Sequence, residues 1–352
     1  MGYKLTIPEA ILYGQNAVVF NSKGVPRVNV IRAFFQGVMR QEDLPVLTQG
    51  FKTWRDFPEY LLMKEEKFEK TYSVNYFAVK CSKRGNDVFG RRLRTKTDFL
   101  VNSEFQGLNF FKSDDPVEDW KNGKKLKTRL LWVTLTNDSK RCSLHDAWMT
   151  ISQEFNLWIT NLRNKYGRIE VYKTPQSFPG TGQAHGYPHL HMILLFKDCE
   201  FEAFPRNEYD EDGALQLVFR IYEKNELHAQ GKWHSFIDVK AISSMRACAS
   251  YLRKHNLNVS YGDREEAVLN GALTWFYNKH TYSLSSGFRK ALSDLIGKLH
   301  NSKTFLQERL LGSPFLVRVV TLVGVYPAKM LGIEDTSTWF FEIDKGVVNQ
   351  LG

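Results

Sequence analysis

The hydrophobic pattern changes period several times between residues 130 and 256. Leu130 to Thr136 is rich in β-branched and aromatic residues and predicts a strand. Leu144, Ala147, Trp148, Ile151, Phe155, Trp158, Ile159 and Leu162 then recur at helical spacing. Ser143, with Asp146 three residues on, resembles a helix-start capping box with Asp in place of the usual Glu, and Gly167 stops the run. Arg168 to Lys173 predicts a second strand, with Ile169 and Val171 on one face and Arg168, Glu170 and Tyr172 on the other. Residues 174–188 hold three glycines and three prolines and read as a loop. The strand after Pro188 points His189 and His191 one way and Leu190, Met192, Leu194 and Phe196 the other, into a core. Ser235 to Ile242 is a fourth alternating strand. Ser243 or Ser244 then caps a helix over Met245 to His255, on which Tyr251 and Lys254 share a face.

Outside this stretch the pattern is less specific. Phe57 to Lys70 reads as a helix with Pro58 early and charges on one side. Residues 201–231 are polar and mixed and predict no firm element. Phe315 to Tyr326 reads as a buried strand. Charge changes sign where the acidic segment around Asp114, Asp115, Glu118 and Asp119 meets the basic run Lys121 to Arg129, which marks a candidate domain boundary. The expected organisation is an N-terminal region over 1–120 to which the sequence assigns no role, DNA or partner binding being the candidates, a central domain over 121–295 and a C-terminal extension over 296–352.

Composition narrows the class. Of 352 residues, 43% are hydrophobic and 14% aromatic, ample for a packed core, and the formal charge of +10 favours an anionic partner such as nucleic acid. Lys80, Lys83, Arg84, Arg91, Arg92, Arg94 and Lys96 form one basic cluster, read either as a solvated loop or as a phosphate-tracking surface. Residues 274–290 form a second, aromatic one, read either as a clamp for single-stranded DNA or as a core-packing segment. Cys81, Cys142, Cys199 and Cys248 are scattered with no CxxC pair, which fits a reducing compartment and a cytoplasmic location. No apolar run has the length of a signal-peptide core or of a membrane span, so no membrane partner is expected.

The candidate chemistry sits on the histidine strand. Two imidazoles two residues apart on a strand can share a divalent cation. Glu170, on the polar face of the preceding strand, is the expected third ligand, and His185 is a substitute. Two histidines and a carboxylate leave positions open on Mg²⁺ or Mn²⁺ for a phosphate oxygen. A tyrosine phenol, with an ordinary pKa near 10, becomes a useful nucleophile when a cation polarises the phosphorus and an ammonium steadies the charge. These parts describe a tyrosine nuclease.

Three motifs in order carry a resemblance. Trp132 to Thr136 (WVTLT) is a hydrophobic strand ending in Leu-Thr, Gly186 to His191 (GYPHLH) is a histidine motif, and Tyr251 to Lys254 (YLRK) is a tyrosine followed by a lysine. Ile237 to Ile242 is similar to the strand that precedes the tyrosine helix. The chain resembles the HUH endonucleases, specifically single-tyrosine rolling-circle replication initiators of plasmids or viruses, over about half its length. The resemblance implies an α+β fold: an HUH core over 121–295 with a mainly antiparallel central sheet and flanking helices, plus N- and C-terminal extensions. It implies metal-dependent nicking and rejoining of single-stranded DNA, with Tyr251 as nucleophile, Lys254 at the phosphate, and His189, His191 and Glu170 on Mg²⁺ or Mn²⁺. Its partners would be single-stranded or origin hairpin DNA, with a host helicase and polymerase. Some initiators carry a second tyrosine four residues on. Here that position is His255, so circle closure calls for a second subunit (a homodimer), an activated water or another residue.

Rival readings share parts of this set. Relaxases place the tyrosine before a three-histidine cluster, the reverse of this order, and transposases of this chemistry are often more compact. Position 193 is Ile, which excludes a histidine-triad hydrolase, and no GxxxxGK phosphate loop is present. A non-catalytic DNA-binding module is the alternative outside enzymology.

Overall fold

The computed structural model describes residues 28–68, 72–94, 111, 113, 115–209, 213–244, 247, 251, 261–290 and 317–351. The chain is α+β with antiparallel sheets and divides into two compact units. The first takes its described residues from 1–37, 45–92 and 296–352, and the second from 38–44 and 93–295. In chain order the elements used below are helix α1 (Leu44–Asp56), strands β1 (Glu59–Phe68), β2 (Tyr72–Lys80), β3 (Leu126–Thr128) and β4 (Leu130–Thr136), helix α2 (Leu144–Tyr166), strands β5 (Ile169–Ser177), β6 (Pro188–Phe196), β7 (Phe201–Tyr209) and β8 (Leu215–Ile221), helix α3 (Lys224–Gly231), β9 (Ile237–Ala241), helix α4 (Glu265–Phe276), β10 (Ser283–Leu284), β11 (Val317–Pro327) and β12 (Phe340–Ile343).

The first unit is a four-stranded sheet in the order β11-β1-β2-β12. Strands from before and after the central stretch thus share one sheet, where the sequence had suggested two separate terminal regions. Glu59–Phe68 is a strand rather than the expected helix, paired with β2 on one side and β11 on the other. Two flanking ladders override the helical preference of Leu, Met, Lys and Glu, because alternation buries Tyr60 and Leu62 against Ala78, Ala328 and Ile343. β11 forms as expected, but it is an edge strand, and Val320, Leu322, Val323 and Val325 are exposed rather than buried. In the basic cluster, Lys83 is buried on Glu59 at 2.6 Å and donates to the carbonyls of Trp54 and Phe57. Arg91, Arg92 and Arg94 are the exposed part, and Arg91 pairs with Asp87.

The second unit is an eight-stranded sheet in the order β10-β5-β6-β4-β9-β8-β7-β3, every pair antiparallel. The residues 201–231, silent in sequence, supply the β7–β8 hairpin and α3. α2 buries the eight apolar positions its periodicity marks. Each large side chain so buried is worth about 1.5–3 kcal/mol. The Ser143 hydroxyl accepts from the Asp146 amide at 3.1 Å and donates to its carboxylate at 2.6 Å. The reciprocal bond of a capping box is therefore replaced by a side-chain pair, since Asp is one methylene shorter than Glu. Gly167 takes φ 78°, and a Cβ there would meet the Asp198 carboxylate, so glycine closes the helix.

Both faces of β6 are covered. Leu190, Met192, Leu194 and Phe196 join α2 in the larger core, while Ile193 and Leu195 pack with Leu130, Trp132, Tyr172 and Phe288 on the other face. The histidines lie on this second face.

Candidate functional site

The register of three strands builds the site. β6 is central, flanked by β4 and β5. His191 stands opposite Thr134 of β4 and Thr174 of β5, and His189 stands opposite Thr136 and Gln176. The two imidazole rings lie 4.7 Å apart between centroids, inclined at 83°. Thr134 Oγ1 engages His191 Nδ1 at 3.0 Å, which orients the ring so that a metal would take Nε2. Among the described residues His189 Nδ1 is buried without a hydrogen-bond partner, and burial pushes that imidazole down to about 4, keeping it neutral as a metal ligand must be.

Glu170 is not beside them. The hairpin places it opposite Leu195, four residues from His191, or about 13 Å at the rise of an extended strand. Its carboxylate accepts from the Ser285 hydroxyl and, at 3.1 Å, from the Gly287 amide. It caps the helical turn that begins at Ser286, and a Cβ at Gly287 would lie 2.4 Å from its carboxyl carbon. The expected third ligand is therefore a structural cap. Among the described residues no group of three His, Cys, Asp or Glu side chains could hold a metal.

On β5 the residue that the register does bring opposite His189 is Gln176, 4% exposed. It escaped the sequence reading because β5 continues through Thr174 and Pro175 to Ser177, in residues read as loop. Pro175 is tolerated because β10 reaches only Tyr172 and Lys173, so its missing amide faces no partner strand on that side. The signal was present: Glu170, Tyr172, Thr174 and Gln176 share one parity. The connecting loop is shorter than expected, closed by Gly186 N to Phe178 O, and the Gln41 side chain donates to three of its carbonyls, at His185 most closely (2.8 Å). His185 itself is engaged in that loop through Nδ1 and the Gly180 carbonyl at 2.6 Å.

Tyr251 is helical and half-buried on the histidine face. Its ring stacks on Trp132 at 4.8 Å and 14°, and the same indole stacks on His191 at 5.5 Å and 23°. Ser244 Oγ accepts from the Ala247 amide, so of the two serines offered as the cap it is Ser244 that serves. Lys254 and most of the helix expected over Met245 to His255 lie outside the described residues. Burial raises the Tyr251 phenol above its ordinary pKa; Asp238 and Glu208 push the same way and Arg220 opposes them. These three form a network on the same face: Arg220 Nε donates to Glu208 at 2.7 Å, its Nη1 pairs with Asp238 and donates to the Val239 carbonyl, and Lys240 lies 3.7 Å from Asp238. Asp238 stands opposite Thr134, so charge and hydroxyl continue the row that begins at His191.

The aromatic and basic run over 274–290 divides. Thr274, Trp275 and Phe276 end the buried helix α4, and Tyr277 stacks on Trp148 at 5.7 Å and 3°. That part packs the core. Among the described residues no helix is long and apolar enough to cross a membrane. No protein-family model, curated protein or solved structure matches the chain.

Proposed function

We propose that the second unit is a tyrosine nuclease of the HUH type that nicks and rejoins single-stranded DNA, as a rolling-circle replication initiator does. The observation that carries this reading is the stack of Tyr251 on Trp132 and of Trp132 on His191, which joins the nucleophile and the histidine pair on one sheet face. The buried Nδ1 of His189, unpartnered among the described residues, and the orientation of His191 by Thr134 fit a metal-binding pair. Gln176, opposite His189 in the ladder, is our candidate to complete the set, its amide oxygen being a hard donor suited to Mg²⁺ or Mn²⁺. A divalent ion held there would supply Lewis-acid polarisation of a phosphate oxygen.

Tyr251 then does the covalent work. Its phenolic oxygen bonds to phosphorus, the bond from phosphorus to the 3′ oxygen breaks, and that oxygen leaves as a free 3′-hydroxyl while the 5′ side remains as phosphotyrosine. Because burial and Asp238 favour the neutral phenol, its proton must leave as the bond to phosphorus forms. Lys254 is assigned to the phosphate by resemblance alone. The substrate class is single-stranded or hairpin origin DNA, with unwinding and synthesis left to a host helicase and polymerase. Rejoining the circle with one tyrosine calls for a second nucleophile, for which a homodimer is one source.

The test is a denaturing gel of the full chain with single-stranded oligonucleotides from its own replicon and Mn²⁺ or Mg²⁺. A protein–DNA adduct that disappears with EDTA and in Tyr251→Phe is the expected result. In that variant cleavage should drop at least about 10³-fold with binding unchanged, since the covalent route is gone. Tight binding without an adduct on any strand would identify a non-catalytic DNA-binding module instead.

A further inference from the structure

Two exposed phenylalanines, Phe178 and Phe236, flank the histidine pair on its own face. Phe178 follows β5, and its backbone is tied to the residues before β6: its amide donates to the Tyr187 carbonyl at 2.8 Å, and its carbonyl accepts from the Gly186 amide at 3.0 Å. Its ring stands edge-on to His189 at 6.3 Å and 71°. A Cβ at Gly180 would lie 2.7 Å from that ring, so the loop backs it on one side and limits its rotation. Phe236 precedes β9, and its carbonyl accepts from the Thr136 amide at 3.2 Å and from the Thr136 hydroxyl at 2.9 Å. Thr136 stands opposite His189, so Phe236 ends the same row. Ile237 and Val239 enter the larger core, and alternation turns Phe236 to the histidine face.

Phe178 is 44% exposed and Phe236 60%, and neither ring belongs to the two apolar cores on the faces of β6. A single exposed phenylalanine is ordinary. Two of them, one on each side of a histidine pair, suit single-stranded nucleic acid, because every base has a face to stack and needs no polar partner for it. The Lys224 ammonium lies 5.0 Å from the Phe236 centroid. That leaves the other face of the ring for a base and supplies a cation for the phosphate beside it. Phe236 stands two strands from His189, about 10 Å at ordinary strand spacing, while Phe178 lies on the β5 side, so a phosphate at the histidines falls between the rings. The aromatic track continues to Tyr222, exposed and stacked at 4.6 Å on Phe204, whose neighbour Ala203 enters the core. The net charge of +10 favours a polyanion along it.

We propose that Phe178 and Phe236 are base platforms on either side of the scissile phosphate of single-stranded DNA, with Lys224 holding the phosphate next to the base on Phe236. These roles rest on the nuclease reading of this face and name the side chains that hold the strand across the histidines. Neither ring offers a polar atom to a base edge, so the platforms grip any sequence and the choice of nick site falls to other contacts.

The experiment measures binding of a dT oligomer and of an abasic oligomer of the same length, which keeps every phosphate. The full chain carries Tyr251→Phe so that no oligonucleotide is consumed, alone and with Phe178→Leu, Phe236→Leu, Phe236→Trp or Lys224→Met. Each Leu variant should bind dT about 5- to 150-fold more weakly, the range for one stacked base, and bind the abasic oligomer as the parent does. Phe236→Trp should keep its grip on dT. Lys224→Met should weaken both oligomers and flatten the log–log salt slope by about 0.7, the value for one single-strand phosphate contact, while Phe236→Leu leaves the slope unchanged. Leucine fills much of the same space at an exposed position, so the melting temperature should not move and a loss of binding reports the ring alone. Unchanged dT affinity in both Leu variants would overturn the proposal, and so would an equal loss on both oligomers. Adduct formation is read separately with Tyr251 restored and Mn²⁺ present. No adduct there, with the Leu variants still weak on dT, would refute the nuclease while upholding Phe178 and Phe236 as base platforms.

Discussion

The two faces of β6 carry one alternating sequence to opposite ends. On one face Leu190, Met192, Leu194 and Phe196 meet α2 in a continuous apolar core; on the other, Ile193 and Leu195 are apolar, but the row at His189 and His191 is polar across four strands, from Gln176 and Thr174 through Thr134 to Asp238. The first face needs only volume and hydrophobicity. The second needs specific atoms at specific levels of the ladder, so a slip of two residues, which keeps every side chain on its own face, displaces the polar row while the first face still meets apolar neighbours.

The sharpest way to break the comparison is to cut into each face. Leu194→Ala, at 0% exposure in the α2 core, should cost about 2–5 kcal/mol in urea unfolding. Gln176→Ala, on the polar face, should instead leave the unfolding midpoint within about 1 kcal/mol while weakening Mn²⁺ binding roughly 10–100-fold by calorimetry. If Gln176→Ala binds Mn²⁺ as the parent does, the third donor lies elsewhere.

Lys173 places a cation on the apolar side, and its titration sharpens the contrast. Its folded pKa, about 8, lies below the ordinary lysine value of 10.5. Between those values the unfolded chain holds the extra proton, so stability rises with pH across the window and is already reduced at neutral pH. Lys173→Met should remove that slope and gain about 1–2 kcal/mol at pH 7, the conversion from pKa being discounted for partial exposure. Parallel urea titrations at pH 7 and pH 10 check it. The smallest effect is at Glu170. Glu170→Ala removes the acceptor for Gly287 and Ser285 and should lower stability by about 1 kcal/mol. Nicking should stay within two-fold of the parent, and a loss of Mn²⁺ binding in this variant would contradict the register.

Local chemistry was legible wherever a short-range rule suffices. The helix over Leu144–Tyr166, its Ser143 start and Gly167 stop follow from a 3.6-residue period and from capping, both properties of neighbouring residues. The shared side of His189 and His191 follows from strand alternation, whatever the partners. The cap before Ala247 belongs to this level too, although the sequence offered Ser243 or Ser244 and the structure selects Ser244. Glu170 was misplaced for a related reason: parity puts it on the correct face, but only the hairpin register fixes its height, and that depends on β5 running on past Pro175.

By itself the sequence determined the periods, the helix ends and the side of the strand on which the two histidines stand, because these depend on bonds and clashes within a few residues. Tertiary structure alone decided the rest. It made Glu59–Phe68 a strand by supplying ladders on both sides, left β11 at an edge, set Gln176 rather than Glu170 beside His189, and laid Trp132 between His191 and Tyr251. Each of these joins residues far apart in the chain. Their energies come from pairing and burial that no local window contains.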